Sequence, residues 1–312
     1  MSINRVLITG GNGNLGRLVA DLFVDAEVEV VSFDLPGTEP AEGVAAVHFG
    51  DMRDTDLLQT ILSDHQPDAV IHLASLLSGS SEANPSDAWA INATASINLM
   101  QMCADAGVGP FVFASTIATY ANDYPRHLPE DAAQWPDNVY GATKVAVERM
   151  GVWMKKSRSF DFRCLRFPMV LSPFAPPGAL TAYPGHAVNA AARGEAFTFP
   201  VAADTGMSTI FLRDVTRSLF EFTRADREGL TRHAYNLHGF HFTPDQLVER
   251  IKAEWPGAEM SFEPDARVDA LIAGWPDDID DQAARDDWGW QPTFDFEKTV
   301  DAVIALAMRN AS

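Results

Sequence analysis

Positive charge is scarce in this chain. Its 23 lysines and arginines stand against 43 aspartates and glutamates, a net charge of −20 at pH 7. With a pI near 4.6, that balance argues against nucleic acid and anionic membrane surfaces as partners. Cysteine is scarcer still. The two present, Cys103 and Cys164, sit in apolar runs where a thiol behaves as a small buried hydrophobe. A reducing compartment, the cytoplasm, is therefore expected. No apolar run approaches the roughly 20 residues of a membrane span, and the first candidate strand begins at Arg5, so no secretory leader is expected. The eight histidines are scattered and form no His-x-x-x-His or His-Glu pattern, so no metal site is expected. Internal repeats and low-complexity tails are absent.

What the chain does have is enough apolar material for a large core, 46% of 312 residues. Its first half alternates short apolar runs with helical stretches. The strands are expected at Arg5–Thr9, Glu29–Phe33, Ala46–Phe49, Ala69–Leu73, Phe111–Ser115 and Phe162–Phe167. The helices are expected at Leu15–Asp25, Asp54–Asp64, Asp87–Ala106 and Val139–Lys156. Such alternation, with continuously apolar strands, specifies an α/β fold with a parallel sheet covered on both faces. After Pro168 the texture changes. Pro173, Pro176, Pro177, Gly178, Pro184 and Gly185 crowd a stretch that reads as loop. Beyond it, Met207–Leu212 and Ala234–Leu237 read as strands, and Asp214–Thr223, Pro244–Trp255 and Phe296–Met308 as helices.

Two motifs carry chemistry. Gly10, Gly13 and Gly16 follow the first strand and open a helix, the setting of a Rossmann-type dinucleotide site. A side chain at Gly10 or Gly13 would obstruct the turn or the approach of a pyrophosphate. One at Gly16 would push the helix off the strand. The helix N-terminus, at Asn14 and Leu15, then offers free N–H groups to the phosphates. Asp34 closes the second strand, where a carboxylate accepts hydrogen bonds from ribose hydroxyls and repels a 2′-phosphate; the expected cofactor is NAD. Asp51 and Met52, after the third strand, are candidates for the adenine, or an ordinary helix-capping pair.

The second motif is Tyr140-x-x-x-Lys144, one helical turn apart on one face. A phenol with a pKa near 10 is a poor base at neutral pH. The Lys144 charge, with that of oxidised nicotinamide, favours the phenolate; a drop of roughly 3 units needs about 4 kcal/mol. Tyr140 would then take a proton from a substrate hydroxyl while hydride leaves the carbon. A hydroxyl from Ser115 or Thr116, at the end of the fifth strand, would hold the substrate oxygen. His72, at a strand end, reads as a packed residue, and Asn92 as a tie between helix and strand ends.

These residues together resemble the extended short-chain dehydrogenase/reductase family, which includes the nucleotide-sugar epimerases. The resemblance rests on Thr9-Gly10-x-x-Gly13-x-x-Gly16, Asp34, Asp51-Met52, His72-Leu73-Ala74, Asn92, Ser115-Thr116, Tyr140/Lys144 and Leu165-Arg166-Phe167-Pro168. It implies a doubly wound sheet of about seven parallel strands with a smaller C-terminal substrate lobe, and Leu73 and Ala74 beside the cofactor. An NAD-binding domain over 1–168 and a mainly substrate-binding lobe over 169–312 follow, with segments at about 206–237 returning to the sheet. The family's catalytic hydroxyl lies four residues before an aromatic, here Tyr120, which selects Thr116 with Ser115 in support. The glycine usual after that aromatic is Ala121 here. A homodimer, common in the family, is expected. Met100, Trp153 and Met154 are candidates for its seam or for the core.

The remaining length is similar to one branch of that family, the short-chain type L-threonine 3-dehydrogenases. The similar segments include His72–Ser78, Asn84-Pro85-x-x-Ala88-Trp89, and Gly274-Trp275-Pro276-Asp277-Asp278-Ile279-Asp280-Asp281 with Trp288-Gly289-Trp290. The branch implies oxidation of L-threonine to 2-amino-3-ketobutyrate, with Ser75, Ser78, Met169 and Thr181 facing the substrate. Three departures fall there. A paired threonine becomes Thr181-Ala182, the usual Tyr-Pro-Gly becomes Phe167-Pro168-Met169, and a Met-Pro-rich run becomes Gly206-Met207-Ser208-Thr209. They keep open a dehydrogenase of a sugar acid, an aldonate such as erythronate, or of another 3-hydroxy acid. An epimerase is disfavoured because no Lys or Arg lies between Arg166 and Arg193 to meet a nucleotide diphosphate. A non-catalytic NAD sensor is disfavoured by the complete Thr116/Tyr140/Lys144 set.

Overall fold

The structure, a computed structural model, describes residues 3–120, 124–174 and 181–311, without the side chains of residues 310 and 311. Ala121 and the run from Pro176 to Leu180 lie outside the described residues.

Seven strands form one sheet: β1 (Arg5–Thr9), β2 (Glu29–Asp34), β3 (Ala46–Phe49), β4 (Ala69–His72), β5 (Phe111–Thr116), β6 (Phe162–Phe167) and β7 (Tyr235–Asn236). Their order is β7-β6-β5-β4-β1-β2-β3, and every neighbouring pair is parallel. This is the doubly wound Rossmann arrangement, whose order reverses between β1 and β4.

The two faces follow from the period-2 alternation of side chains. Val6, Ile8, Ile71, Val112 and Leu165 point to one face. There they pack with Val19 and Phe23 of α1 (Asn14–Asp25) and with Val215, Leu219 and Phe222 of the helix Leu212–Arg224. Leu7, Val31, Val70, Phe113 and Cys164 point to the other. They meet Leu58 and Leu62 of α2 (Thr55–His65), Leu99 and Met100 of α3 (Ser96–Asp105), and Val147 and Met154 of α4 (Val139–Arg158). Met100 and Met154 are thus core residues, whereas Trp153 is 54% exposed.

A second core lies in the C-terminal part, where Leu171, Tyr183, Phe199, Phe211, Ile251 and Val303 cluster. Met207–Phe211 runs between Met169–Leu171 and Phe240–Phe242 in a separate three-stranded sheet. Trp290 is fully buried against the main sheet and donates from Nε1 to Asp281 at 2.9 Å. Among the described residues no helix is long and apolar enough to cross a membrane.

Several elements depart from the periodicity. Pro184 and Gly185 do not sit in a loop but open the helix Tyr183–Ala192. Proline is tolerated in a first helical turn, where its missing N–H has no partner to lose. At Gly185 the helix presses on the chain before it, since an added Cβ would lie 2.1 Å from the Ser172 carbonyl oxygen. Ser78, among no expected element, begins a short helix, Ser78–Ala83. The expected helix over Asp87–Ala106 contains a π-helical stretch, Trp89–Ala95. Periodicity gives no warning of such a widened turn.

Candidate active site

The residues that the sequence singles out for cofactor, catalysis and substrate all line one cavity of about 1350 Å³ at the C-terminal ends of the strands. On one side stand Gly10 after β1, Asp34 at the end of β2, Leu73 and Ala74 after β4, and Ser115 and Thr116 at the end of β5. Tyr140 and Lys144 of α4 close the back. Opposite lie Met169, Thr181, Ala182 and Leu212, with Arg267, Val268, Leu271 and Trp275 on and after the helix Ala266–Ala273.

The glycine turn fits a dinucleotide pyrophosphate. Gly10 has φ +69°, and a Cβ there would come within 2.8 Å of the Ala74 nitrogen. A Cβ on Gly16 would lie 2.2 Å from the Gly10 carbonyl oxygen, so helix and turn can touch only through glycine. At Gly13 an added Cβ meets a single atom, at 3.3 Å, and otherwise open cavity. Gly13 is the N-cap of α1 and no side chain caps that end. The first-turn N–H groups are therefore free for an anion. Asn14 also donates from Nδ2 to the Phe174 carbonyl, tying the turn to the segment after β6.

Asp34 is held in place by its neighbours. Its Oδ2 accepts from the Asn12 N–H at 2.9 Å and its Oδ1 from the Leu35 N–H at 2.7 Å. The cations among the described lining residues are Lys144 and Arg267, and neither lies on the β2 side. No cation among the described lining residues there would balance a 2′-phosphate, which fits NAD. Asp51 pairs with Arg53 at 2.7 Å; hydrogen bonds from Arg53 hold its carboxyl below the usual range.

Lys144 is 2% exposed. Its Nζ donates to the Ala114 carbonyl at 2.9 Å and lies 5.4 Å from the centre of the Tyr140 ring. Burial pushes the ammonium down to about 8. Burial likewise pushes the Tyr140 phenol up to about 12, against a hydrogen bond with the Ser75 side chain. Thr116 ends β5 with its Oγ1 accepting from the Ala118 N–H at 3.1 Å, which leaves its own O–H free to turn. Ser115 turns away: its Oγ donates to Glu148 Oε1 at 2.5 Å.

Two further residues support the walls. His72 is bonded at both nitrogens, to Thr9 Oγ1 at 2.6 Å and Ser96 Oγ at 2.7 Å, and burial pushes it down to about 3. It is a neutral packed residue at physiological pH. Asn92 clamps the loop after β4, accepting from the Leu76 N–H at 2.7 Å and donating to the Leu76 carbonyl at 3.0 Å.

Sequence reasoning missed Arg267 and Glu82 in the lining, and the Glu148 that receives Ser115. Glu148 had a visible signal, since it continues the Tyr140, Lys144 spacing by four residues. Trp275, which the sequence offers only within the 274–281 segment of the resemblance, also stands in the cavity wall.

The model of the NAD dependent epimerase/dehydratase family matches residues 6–237. The mitochondrial L-threonine 3-dehydrogenase of Bos taurus is 31% identical over 307 residues, 96% of this chain and 82% of that protein. The holo form of the GalE-like L-threonine dehydrogenase from Cupriavidus necator superposes with a TM-score of 0.90 at 30% identity, covering 99% of this chain and all of that one. An L-threonine 3-dehydrogenase from a metagenome, described as monomeric, superposes with a TM-score of 0.91 at 27% identity, over 98% of this chain and all of that one.

Proposed function

The chain belongs to the NAD dependent epimerase/dehydratase family, and we propose that within it this protein oxidises the secondary alcohol of L-threonine to 2-amino-3-ketobutyrate. It is an NAD-dependent oxidoreductase acting on a CH–OH group of a small-molecule substrate.

The observation that carries the reading is the meeting of three parts in one cavity: the glycine turn with Asp34, the Tyr140/Lys144 face of α4, and a lobe wall containing Thr181 and Trp275. Bound NAD supplies the acceptor for the hydride that the substrate carbon loses, and a positive charge on its oxidised ring. Gly10, Gly13 and the N–H groups of Asn14, Leu15 and Gly16 would hold the pyrophosphate; Asp34 would hold the ribose; Asp51, Met52, Leu73 and Ala74 would flank the adenosine and nicotinamide ends.

Tyr140 is the base. Burial pushes its phenol up to about 12, so it is mostly protonated at neutral pH. Positive charge has to bring it down, and Lys144 is the cation at hand. Thr116 orients the substrate hydroxyl and keeps it directed at the Tyr140 oxygen. Ser75 bonds the Tyr140 side chain, so it serves the base as well as the substrate wall. Ser78, Thr181 and Met169 contact the substrate. Cys103 and Cys164 are buried and unpaired, which suits a cytoplasmic setting. A dimer would bury the exposed Trp89 and Trp153.

The test is NADH formation at mildly alkaline pH with NAD and L-threonine, beside a panel of aldonates, including erythronate, and 3-hydroxy acids. Turnover with L-threonine well above the panel is expected. Turnover with an aldonate and silence with L-threonine would overturn the substrate and transfer the same chemistry to a sugar acid.

A further inference from the structure

A buried polar cluster adjoins Lys144, built on Glu148 and Arg166. Sheet register sets Ser115 of β5 beside Arg166 of β6, and Arg166 beside Asn236 of β7. Parallel neighbours in register point to the same face of a sheet, here the face that α4 covers. Glu148 of α4, 1% exposed, meets this row. Its Oε2 accepts from Arg166 Nη2 at 2.7 Å and from Gln134 Nε2 at 3.0 Å, and its Oε1 accepts from Ser115 Oγ at 2.5 Å. Arg166 continues outward, donating from Nη1 to the Tyr120 hydroxyl at 2.8 Å, which donates to Asn236 Oδ1 at 2.9 Å.

We infer that Glu148 is a positioning residue of the active site: anchored by Arg166, it fixes the end of β5 through Ser115 and backs Lys144 with a negative charge one helical turn away. Tyr140, Lys144 and Glu148 follow each other at intervals of four along one face of α4. A structural ion pair needs no such alignment, and the pair alone would be replaceable by apolar side chains of equal volume. The bond from Ser115 gives the alignment its use. It pins the residue next to Thr116, while Lys144 holds the carbonyl of Ala114 on the other side.

The charges around Lys144 agree. Burial lowers its pKa, and Cys164 and then Glu148 act against that. Burial keeps the Cys164 thiol protonated at neutral pH, so of the two only Glu148 brings a negative charge to Lys144. Buried His72 of β4, neutral at physiological pH, faces it across the sheet, with Arg166 of β6 beyond Glu148 and Tyr140 on its own helix. Glu148 itself stays ionised, because Arg166 outweighs its burial and holds its carboxyl below the usual value.

The inference rests on the reading of Tyr140 and Lys144 as base and partner, and its first test avoids turnover. The chain has five lysines, so the 13C-labelled lysine side chains can be titrated individually by NMR. In Glu148→Gln the Lys144 midpoint is expected to fall by about one to two pH units, with the other four unmoved. Should Glu148→Gln fail to fold, Glu148→Gln with Arg166→Met leaves no unpaired buried charge and is expected to shift Lys144 in the same direction. An unchanged midpoint in a folded variant would reduce the cluster to a structural ion pair. Ser115→Ala adds a second readout: kcat falls about tenfold with KM unchanged if Ser115 positions Thr116, whereas a rise in KM alone would return Ser115 to substrate contact. Silence with L-threonine in the wild-type protein would refute the substrate and leave the lysine titration standing.

Discussion

On one side of the cavity, Gly10, Asp34, Ala74 and Thr116 each follow or end a strand of the parallel sheet. On the other, Thr181, Ala182, Arg267 and Trp275 come from helix starts and loops of a lobe with its own core. The first wall is made largely of backbone: turns that admit only glycine, free N–H groups, strand ends fixed by register. The second is made of side chains on segments that any sequence of suitable packing could shape. A substitution in the first wall therefore strikes cofactor binding, whereas one in the second can alter the fit of a substrate alone. Of the three departures from the L-threonine 3-dehydrogenase pattern, Thr181-Ala182 and Met169 stand in the second wall. Residues 206–209 line no part of the cavity and run through the buried interior of the lobe, so the expectation that they face substrate does not hold.

Where the two walls meet, Tyr140→Phe is expected to give the largest effect. It should lower turnover by at least about a thousandfold, while NADH binding, followed by fluorescence, stays within about twofold of wild type. A variant that still turned over would remove Tyr140 as the base and dissolve the junction. On the strand-end wall, Asp34→Ala should weaken NAD binding by about ten- to a hundredfold, the loss of charge-assisted hydrogen bonds to the ribose. Unaltered affinity would mean that Asp34 serves only the Asn12 and Leu35 N–H groups it already accepts from. On the lobe wall the effect should be smallest. Ala182→Thr restores a paired threonine at the uncapped start of the helix Tyr183–Ala192, and should lower KM for L-threonine by about two- to tenfold with kcat little changed. No change in KM would place substrate recognition elsewhere on that wall, with Arg267 the next residue to alter.

The same division explains what was legible beforehand. The six strands of the first half were readable because each is a short, continuously apolar run between helical stretches. The glycine turn was readable because only glycine can bring Gly16 so close to the Gly10 carbonyl. The Tyr140/Lys144 pair was readable because four residues of α-helix make one face. The lobe helix Tyr183–Ala192 was hidden behind Pro184 and Gly185, which signal a turn unless the start of the helix is already known. The place of Trp275 in the cavity wall was not legible, because a buried aromatic and a cavity-lining one have the same sequence signature.

Residue order alone was sufficient for the individual strands and helices of the first half, the glycine turn and the face of α4, since each depends on neighbours within a few positions. The direction of the Ser115 hydroxyl needed the folded molecule. Ser115, Glu148, Arg166 and Asn236 are far apart in the chain, Arg166 and Asn236 by 70 positions. They become adjacent only when β5, β6 and β7 align and α4 is laid across them. Strand register and helix packing are collective results of burying both faces of the sheet, so no local pattern announces them. They turn a hydroxyl that looked like a substrate contact toward a buried carboxylate instead.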